Sequence, residues 1–455
     1  MALVSINPAT EEVIQEFNEL SPDQIEAKLA QSQATFERWR MTSFAERAVK
    51  MKAAASVLRS RKADLARLMS LEVGKTLAAA EAEVEKCALT CDYYADNAAK
   101  FLQPEVVETD GSESFVRFDP IGIVLAVMPW NFPFWQVFRF VAPALMAGNV
   151  GILKHASNVQ MSASAIEQVL LEAGFAEGMF SNLAIGSAKV EALIRDPRVR
   201  AITLTGSEYA GSQVAKTAGE EIKKTVLELG GSDPFIVLAD ANIDEAVKSA
   251  VLARLQANAG QSCIAAKRFI VEVPVAAEFT KKLTEAVQQL VVGDPLDAAT
   301  VVGPLASQQM LDDITKQVDQ SVAKGAKLLC GGQRLGDKGY FYVPAVLGDV
   351  TKGMAVYDQE VFGPALPVIT VKDADEAIAV ANDCDYGLGA TIFSADVQKA
   401  KAMAARIESG SVFINNQVKS DPRLPFGGVK KSGYGRELSQ YGIKEFVNIK
   451  TVWVK

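Results

Sequence analysis

The 455-residue chain contains a single histidine, His155, and this scarcity limits the chemistry available to it. One histidine is too few for a metal site built from several imidazoles, and it leaves little scope for a nucleophile activated by histidine. The five cysteines show no repeated spacing, which argues against a disulfide framework and for a reducing compartment. Cys87 and Cys91 have neither a CxxC motif nor a nearby histidine to complete a zinc site, so we interpret them as buried thiols.

Long basic segments and long apolar segments are also missing. The net charge is −8 and the pI is near 5.1, which argues against nucleic acid as a partner. The most apolar stretch, residues 121–128, is too short to span a membrane. The first ten residues lack the basic and apolar regions of a signal peptide. We therefore expect a cytoplasmic protein that acts on a small molecule.

Helix and strand patterns alternate over most of the chain. Residues 21–100 are predicted to be almost entirely helical, and from residue 121 onward short apolar strands alternate with helices. Such alternation predicts an α/β fold with parallel sheets covered by helices on both faces. Residues 445–455 alternate between apolar and polar types and predict an edge strand, for which another subunit is a candidate partner.

Cys263 is the candidate nucleophile. It lies just beyond a helix predicted over residues 243–258, in a short loop that contains Gly260. A lone cysteine is more often a small buried apolar side chain, but this loop position and its polar neighbours favour a reactive thiol. Glu228, 35 residues upstream, has leucine on both sides. Its pKa should be raised there, as suits a general base, and a surface-strand glutamate is the alternative.

Two further segments have candidate roles. In Met128–Trp135, two prolines bracket Asn131 among aromatic residues, and its amide is suited to orient a developing oxyanion. The alternative is a packed aromatic turn. Gly206 and Ser207 follow a predicted strand and open a helix, whose first amides can bind phosphate. The spacing is not GxGxxG, so a helix simply capped by serine is the alternative.

Together these residues resemble the NAD(P)-dependent aldehyde dehydrogenase superfamily over nearly the whole chain. The segments that carry the resemblance are Pro129–Pro133, Leu227–Gly231, Gly260–Cys263, Glu360–Pro364 and Pro425–Gly433. The implied fold has two open parallel-sheet α/β domains and a small β oligomerisation element. We expect residues 1–98 and 121–230 to bind the dinucleotide, 231–428 to form the catalytic domain, and 99–120 with 438–455 to form the oligomerisation element of a homodimer or homotetramer.

The resemblance also implies a mechanism. The Cys263 thiolate attacks the aldehyde, the Asn131 amide and the Cys263 N–H hold the oxyanion, and Glu228 activates the water that hydrolyses the thioester. The residues expected to bind the cofactor are Pro129, Trp130, Lys154, Ser157, Gly206, Ser207, Gly230, Glu360 and Phe362.

The cofactor preference is predicted from Lys154 and Ser157. Family members that prefer NAD commonly carry glutamate at the position of Ser157, where the carboxylate holds the ribose hydroxyls and repels a 2′-phosphate. Serine removes that repulsion and Lys154 adds positive charge, so we predict NADP over NAD. The alternative is that Ser157 only caps a helix. His155 is expected to pack, or to meet the adenosine edge, rather than to do chemistry.

The substrate is predicted from Arg139, eight residues after Asn131. It matches an arginine that binds the distal carboxylate in succinate-semialdehyde dehydrogenases, with Ser420 adding a hydroxyl and Trp135 an apolar wall. The second arginine of some members is absent, because Ala257 occupies its position. A helix-surface salt bridge is the alternative role for Arg139. The alternative functions are a broad short-chain aldehyde dehydrogenase, a CoA-acylating enzyme, a cysteine esterase and a non-catalytic binding protein.

Overall fold

The computed structural model describes residues 3–455 and contains two large open α/β sheets, a three-stranded antiparallel sheet and two two-stranded sheets. The helices are α1 Pro22–Trp39, α2 Phe44–Ser60, α3 Lys62–Val73, α4 Leu77–Phe101, α5 Trp135–Met146, α6 Gln160–Glu172, α7 Val190–Arg195, α8 Glu208–Glu220, α9 Ile243–Val251, α10 Val273–Gln288, α11 Gln308–Ala323, α12 Ala355–Asp358, α13 Ala374–Asn382, α14 Val397–Ala404 and α15 Ser439–Ile443. The strands are β1 Leu3–Ile6, β2 Val13–Phe17, β3 Glu105–Val106, β4 Glu113–Pro120, β5 Ile123–Val127, β6 Val150–Lys154, β7 Phe180–Asn182, β8 Val199–Thr205, β9 Lys224–Glu228, β10 Pro234–Val237, β11 Arg268–Glu272, β12 Lys327–Cys330, β13 Ala345–Gly348, β14 Ala365–Val371, β15 Tyr386–Gly387, β16 Gly389–Phe393, β17 Ser411–Ile414, β18 Val429–Lys430, β19 Gly433–Tyr434 and β20 Val447–Val454.

The helical prediction for residues 21–100 is confirmed, and each of the longer helices there has a local start signal. Ser21 and Ser43 form capping boxes at α1 and α2, and the Thr76 hydroxyl caps α4. Helix α4 packs against α2, α3 and α5. Cys87 and Cys91 lie on its buried side, as interpreted from the sequence.

The first large sheet has the strand order β19-β9-β8-β5-β6-β7, and its five long strands are parallel. This confirms the alternating strands and helices predicted after residue 121. The chain proceeds from β5 toward β7 on one side and from β8 toward β9 on the other. Loops at the carboxyl ends of such strands form a ligand-binding crevice. Strand β19 adds residues 433–434 to this sheet, outside the ranges expected for the dinucleotide-binding domain.

The second large sheet has the order β12-β13-β14-β11-β10-β16-β17, with only β12 antiparallel to its neighbour. The helix predicted over residues 243–258 is too long: α9 ends at Val251, and Leu252–Gln256 forms a π-type turn. Tertiary contacts account for this π-type turn, because buried Arg254 donates to the carbonyls of Val361 and Gly363. Strand β17 is half-buried at the sheet edge.

The third sheet has the order β20-β4-β3. The predicted terminal strand is therefore confirmed, and it pairs antiparallel with β4 of the same chain from Val447 to Val454. A role for its other edge in a second subunit stays a prediction. Within residues 3–455, no helix combines the length and apolar character needed to cross a bilayer.

Candidate active site

Cys263 lies on the loop after the π-type turn and is half-exposed in the wall of a cavity of 590 Å³. Gly260 turns this loop with a φ of 76°, and a β-carbon there would collide with the carbonyl of Gly363. Burial raises the pKa of the Cys263 thiol to about 12, although Lys267 and Arg139 act to lower it. The resting thiol is therefore protonated at neutral pH and needs a base before it can attack.

Asn131 is held against the cysteine loop by hydrogen bonds in both directions. Its Nδ2 donates to the Gln261 carbonyl at 3.1 Å, and its own carbonyl accepts from Asn258 Nδ2 at 2.8 Å. The Asn131 loop is anchored by Glu83 of α4, whose carboxylate accepts from the main-chain N–H groups of the two residues at the start of α5, at 3.0 and 2.9 Å. The amide is thus positioned by two other segments before any substrate binds.

His155 supports the same loop from the end of the neighbouring strand β6. Its ring is fully buried between the carbonyls of Met128 and Pro133, at 3.2 and 3.0 Å. Burial lowers the pKa of His155 to about 4, so the imidazole stays neutral. Of the two roles expected for this residue, the structure shows packing.

Glu228 ends β9 and is 2% exposed, which is not the environment of a surface-strand glutamate. Neither carboxylate oxygen has a hydrogen-bond partner within residues 3–455. Burial and the nearby Glu437 carboxylate raise the pKa of Glu228 well above its ordinary value, against the weaker effects of Arg139 and Arg436. An unpartnered buried carboxylate is costly, and such groups are typical of functional sites.

Lys154 and Ser157 form a small polar surface at the end of β6. Lys154 is 8% exposed, burial lowers its pKa, and neither its ammonium nor the half-exposed Ser157 hydroxyl has a hydrogen-bond partner in the described chain. The helix-capping alternative for Ser157 is wrong. Helix α6 has Val159 as its N-cap residue, and its first amides donate to Glu72. Both groups are therefore available to a ligand.

The other expected cofactor residues surround neighbouring strand ends. Ser207 caps α8 by accepting from the Ala210 N–H at 3.3 Å, as its alternative role predicts, and this cap uses only one amide of the first turn. The rings of Trp130 and Phe362 pack edge to face with centroids 5.9 Å apart, and Pro129 is half-exposed beside Trp130. A side chain at Gly230 would approach Glu360 Oε2 within 2.6 Å, so the backbone can come this close only as glycine.

Lys267 was not identified from the sequence, although it lies only four residues after Cys263. Its ammonium is fully buried and donates to the Cys263 carbonyl at 2.8 Å, to Glu360 Oε1 at 2.7 Å and to the Gly231 carbonyl. Glu360 Oε1 also accepts from the Gly231 N–H at 3.0 Å. This lysine therefore joins the cysteine loop, the loop after Glu228 and the expected ribose-binding glutamate.

The structure places Trp135, Arg139 and Ser420 in the wall of the cavity that contains Cys263. Arg139 is 2% exposed and forms a buried ion pair with Glu437. It also donates to Gln136 at 2.6 Å. The alternative of a helix-surface salt bridge is therefore wrong for Arg139. Its charge is nevertheless already matched by a carboxylate inside the protein.

Lys86 is a second cation in this wall that sequence reasoning missed. It projects from α4, its ammonium lies 4.1 Å from the centroid of the Trp135 ring, and it donates to the Ser420 hydroxyl at 2.6 Å. No carboxylate within the described residues forms an ion pair with it. Burial, followed by the charge of Arg139, lowers the pKa of Lys86 to about 8.

These features bring together a cysteine thiol, a buried carboxylate and an asparagine amide in an α/β fold. Comparison with known proteins then assigns the family: residues 2–452 match the aldehyde dehydrogenase family, and the chain belongs to it.

The chain is 54% identical over the full length of both proteins to a probable NADP-dependent succinate-semialdehyde dehydrogenase of Synechocystis sp., and 50% identical over the full length of both to an NADP-dependent succinate-semialdehyde dehydrogenase of Mycobacterium ulcerans. Among solved structures, it resembles a succinic semialdehyde dehydrogenase from Streptococcus pyogenes in complex with NADP⁺. The identity is 40%, the TM-score is 0.97, and 99% of each chain is covered.

Proposed function

We propose that this protein oxidises succinic semialdehyde to succinate, with NADP as the hydride acceptor. The observation that carries the proposal is the cavity in which Cys263 shares a wall with the cationic side chains of Arg139 and Lys86. An aldehyde with a distal carboxylate fits such a wall, because buried cations are stabilised by an anionic partner. The two relatives, whose names specify this reaction, support the same assignment.

The first step is attack by Cys263 on the aldehyde carbon. Since the thiol is protonated at rest, Glu228 accepts its proton, and sulfur and carbon form a thiohemiacetal. The negative oxygen then lies between the Asn131 amide and the Cys263 main-chain N–H. The amide is already oriented by its hydrogen bond to the Gln261 carbonyl, so it needs little reorganisation to stabilise the charge.

The second step is hydrolysis of the thioester that remains on Cys263 after loss of the hydride. After Glu228 has released the thiol proton to solvent, it removes a proton from water, and the resulting hydroxide attacks the thioester carbonyl. The C–S bond breaks, succinate leaves, and Glu228 returns its proton to the Cys263 thiolate. The buried position of Glu228, without a hydrogen-bond partner in the described chain, leaves its oxygens free for this proton transfer. No histidine takes part.

NADP, when bound, supplies the hydride acceptor. The residues present fit this cofactor: Lys154 and Ser157 offer unpartnered donors to a 2′-phosphate, and the start of α8 at Gly206 and Ser207 offers amides to the pyrophosphate. We assign Glu360, with Phe362, Trp130, Pro129 and Gly230 around it, to the nicotinamide end. NAD is the weaker alternative.

The test is the initial rate of NADPH and NADH formation with succinic semialdehyde, compared with butanal, which has the same length but no carboxylate. A large advantage in kcat/KM for succinic semialdehyde and for NADP is expected. Equal rates for the two aldehydes would leave a broad short-chain aldehyde dehydrogenase. Ester hydrolysis faster than dehydrogenation would indicate a cysteine esterase, thioester transfer to CoA an acylating enzyme, and no turnover a binding protein.

We also propose an oligomerisation element made of residues 99–120 and 438–455, which include β4 and β20. This element would form a homodimer or homotetramer. The supporting feature is the outer edge of β20, which is not paired with any strand of the described chain and has mostly exposed side chains. The two large sheets support a dinucleotide-binding domain and a catalytic domain with the expected ranges, except that β19 joins the first sheet from outside them. Five free cysteines support a cytoplasmic location. Light scattering of the purified protein tests the oligomer.

A further inference from the structure

We propose that Lys86, rather than Arg139 alone, is the residue that selects aldehydes with a distal carboxylate, by pairing its ammonium with that carboxylate beside Ser420. This inference rests on the proposed function and deepens it. It assigns substrate specificity to helix α4, which lies far in sequence from the cysteine, glutamate and asparagine loops.

The first support is the difference in charge pairing between the two cations. Arg139 already forms a buried ion pair with Glu437 and donates to two neutral side chains, Gln136 and Thr205. A substrate carboxylate would have to share that guanidinium with Glu437. Lys86 has no carboxylate partner within residues 3–455, although it is half-buried. A cation kept partly from water without a counter-ion is stabilised by an anion that enters from solution.

The second support is the way the neighbouring charges are used. Glu83 lies three residues before Lys86 on α4, where it would be the natural intrahelical partner. It is occupied instead by Lys75 and by the main-chain N–H groups at the start of α5. Glu83 is therefore not available to Lys86 as an ion-pair partner in the folded chain.

The third support is the geometry around the ammonium. The Trp135 ring lies under it at 4.1 Å and the Ser420 hydroxyl accepts one hydrogen bond at 2.6 Å. An ammonium has three N–H donors, so a donor remains for a carboxylate in the cavity. Cys263, Lys86, Trp135 and Ser420 line this one cavity.

The missing second arginine is explained by the same arrangement. The cysteine loop presents Gln256 and Ala257 to the cavity, both uncharged. A second cation supplied from α4 instead of from that loop would complete the recognition of the carboxylate. Of the two cations in the cavity wall, Arg139 is then paired with Glu437, and Lys86 is not paired with a carboxylate of the described chain.

The experiment compares Lys86→Met with Lys86→Arg in the full-length enzyme. The measured quantity is the ratio of kcat/KM for succinic semialdehyde to kcat/KM for butanal. A hydrogen bond to a charged group contributes about 1.5–3 kcal/mol, so the ratio should fall about 10- to 100-fold in Lys86→Met. The loss should lie mainly in KM, and Lys86→Arg should recover a substantial part of it. Lys100→Met, an exposed position in the last turn of α4, is the matched control and should leave the ratio unchanged.

A second readout separates binding from packing. Charged and titratable groups that act on Lys86 are Arg139 on α5, Glu83 and Cys87 on α4, and Lys75 before it, and together with burial they set its pKa near 8. The kcat/KM ratio for the two aldehydes should therefore decline above about pH 8 in the unmodified enzyme, and this decline should be absent in Lys86→Met.

If kcat/KM falls equally for both aldehydes in Lys86→Met and arginine does not rescue it, Lys86 only packs against Trp135 and the inference is overturned. If kcat/KM stays unchanged for both aldehydes, the inference is also overturned and the carboxylate is left to Arg139. If the unmodified enzyme shows no preference for succinic semialdehyde over butanal, the proposed function itself fails, which is a separate result.

Discussion

Replacement of Ser157 by glutamate should transfer the cofactor preference from NADP to NAD. In the structure the Ser157 hydroxyl and the Lys154 ammonium have no hydrogen-bond partners within residues 3–455, and we assign both to the 2′-phosphate. A carboxylate at position 157 would take the lysine as its own partner. It would also repel the phosphate and accept hydrogen bonds from the ribose hydroxyls of NAD.

The magnitude follows from two contributions. Loss of a charge-assisted hydrogen bond costs about 1.5–3 kcal/mol. Repulsion between unit charges about 4 Å apart reaches about 4 kcal/mol at an effective dielectric constant of 20. Because Ser157 is half-exposed, solvent screens part of the repulsion. A total of about 2–4 kcal/mol predicts a loss of about 30- to 700-fold in kcat/KM for NADP.

The assay is the initial rate with each cofactor at saturating aldehyde, for the unmodified enzyme, Ser157→Glu and Ser157→Ala. The alanine variant is the control for loss of the hydroxyl, and its kcat/KM for NADP should fall about tenfold or less, with no gain for NAD. The ratio of kcat/KM for NADP to kcat/KM for NAD is expected to fall about 30-fold or more in Ser157→Glu, relative to the unmodified enzyme. A change of about threefold or less would refute the assignment of the 2′-phosphate to this turn.

Two further predictions concern proton transfer. Glu228→Gln should lower kcat by about 100- to 10,000-fold, as loss of a general base does. It should also show no burst of NADPH, because the thiol with a pKa near 12 needs the same carboxylate. A full burst of one NADPH per site would limit Glu228 to the hydrolytic step. Glu437→Gln removes the charge that most strongly raises the pKa of Glu228 after burial, so the acidic limb of the kcat/KM profile should move to lower pH. A shift to higher pH would contradict this coupling.

Much of the site could be predicted because its chemistry lies in short contiguous segments. Cys263, Glu228 and Asn131 each lie at the end of a strand or helix, in loops whose glycines and prolines are visible in the sequence. Most strands of the two large sheets are short and rich in apolar residues, so the alternation of strands and helices was also predictable. The structure adds the contacts between these loops, such as the hydrogen bond from Asn131 to the Gln261 carbonyl.

Lys86 could not be predicted in the same way. Residues 81–86 read Glu-Ala-Glu-Val-Glu-Lys, a pattern typical of an exposed helix face covered with charges. Only the packing of α4 against α5 turns Glu83 and Lys86 inward, and helix packing has no local signature. The π-type turn before the cysteine loop was not predicted for the same reason, because Arg254 donates to carbonyls more than 100 residues away.

The charges around Cys263 are paired unevenly, and the two unpaired ones fit the chemistry. Arg139 is paired with Glu437 and Lys75 with Glu83, so each of these four buried groups has a counter-ion. Glu228 and Lys86 have no oppositely charged partner in the described chain. A buried carboxylate without a partner is suited to accept a proton, whereas a half-buried ammonium without a counter-ion attracts an anion. We therefore assign Glu228 to the reacting end of the aldehyde and Lys86 to its distal carboxylate.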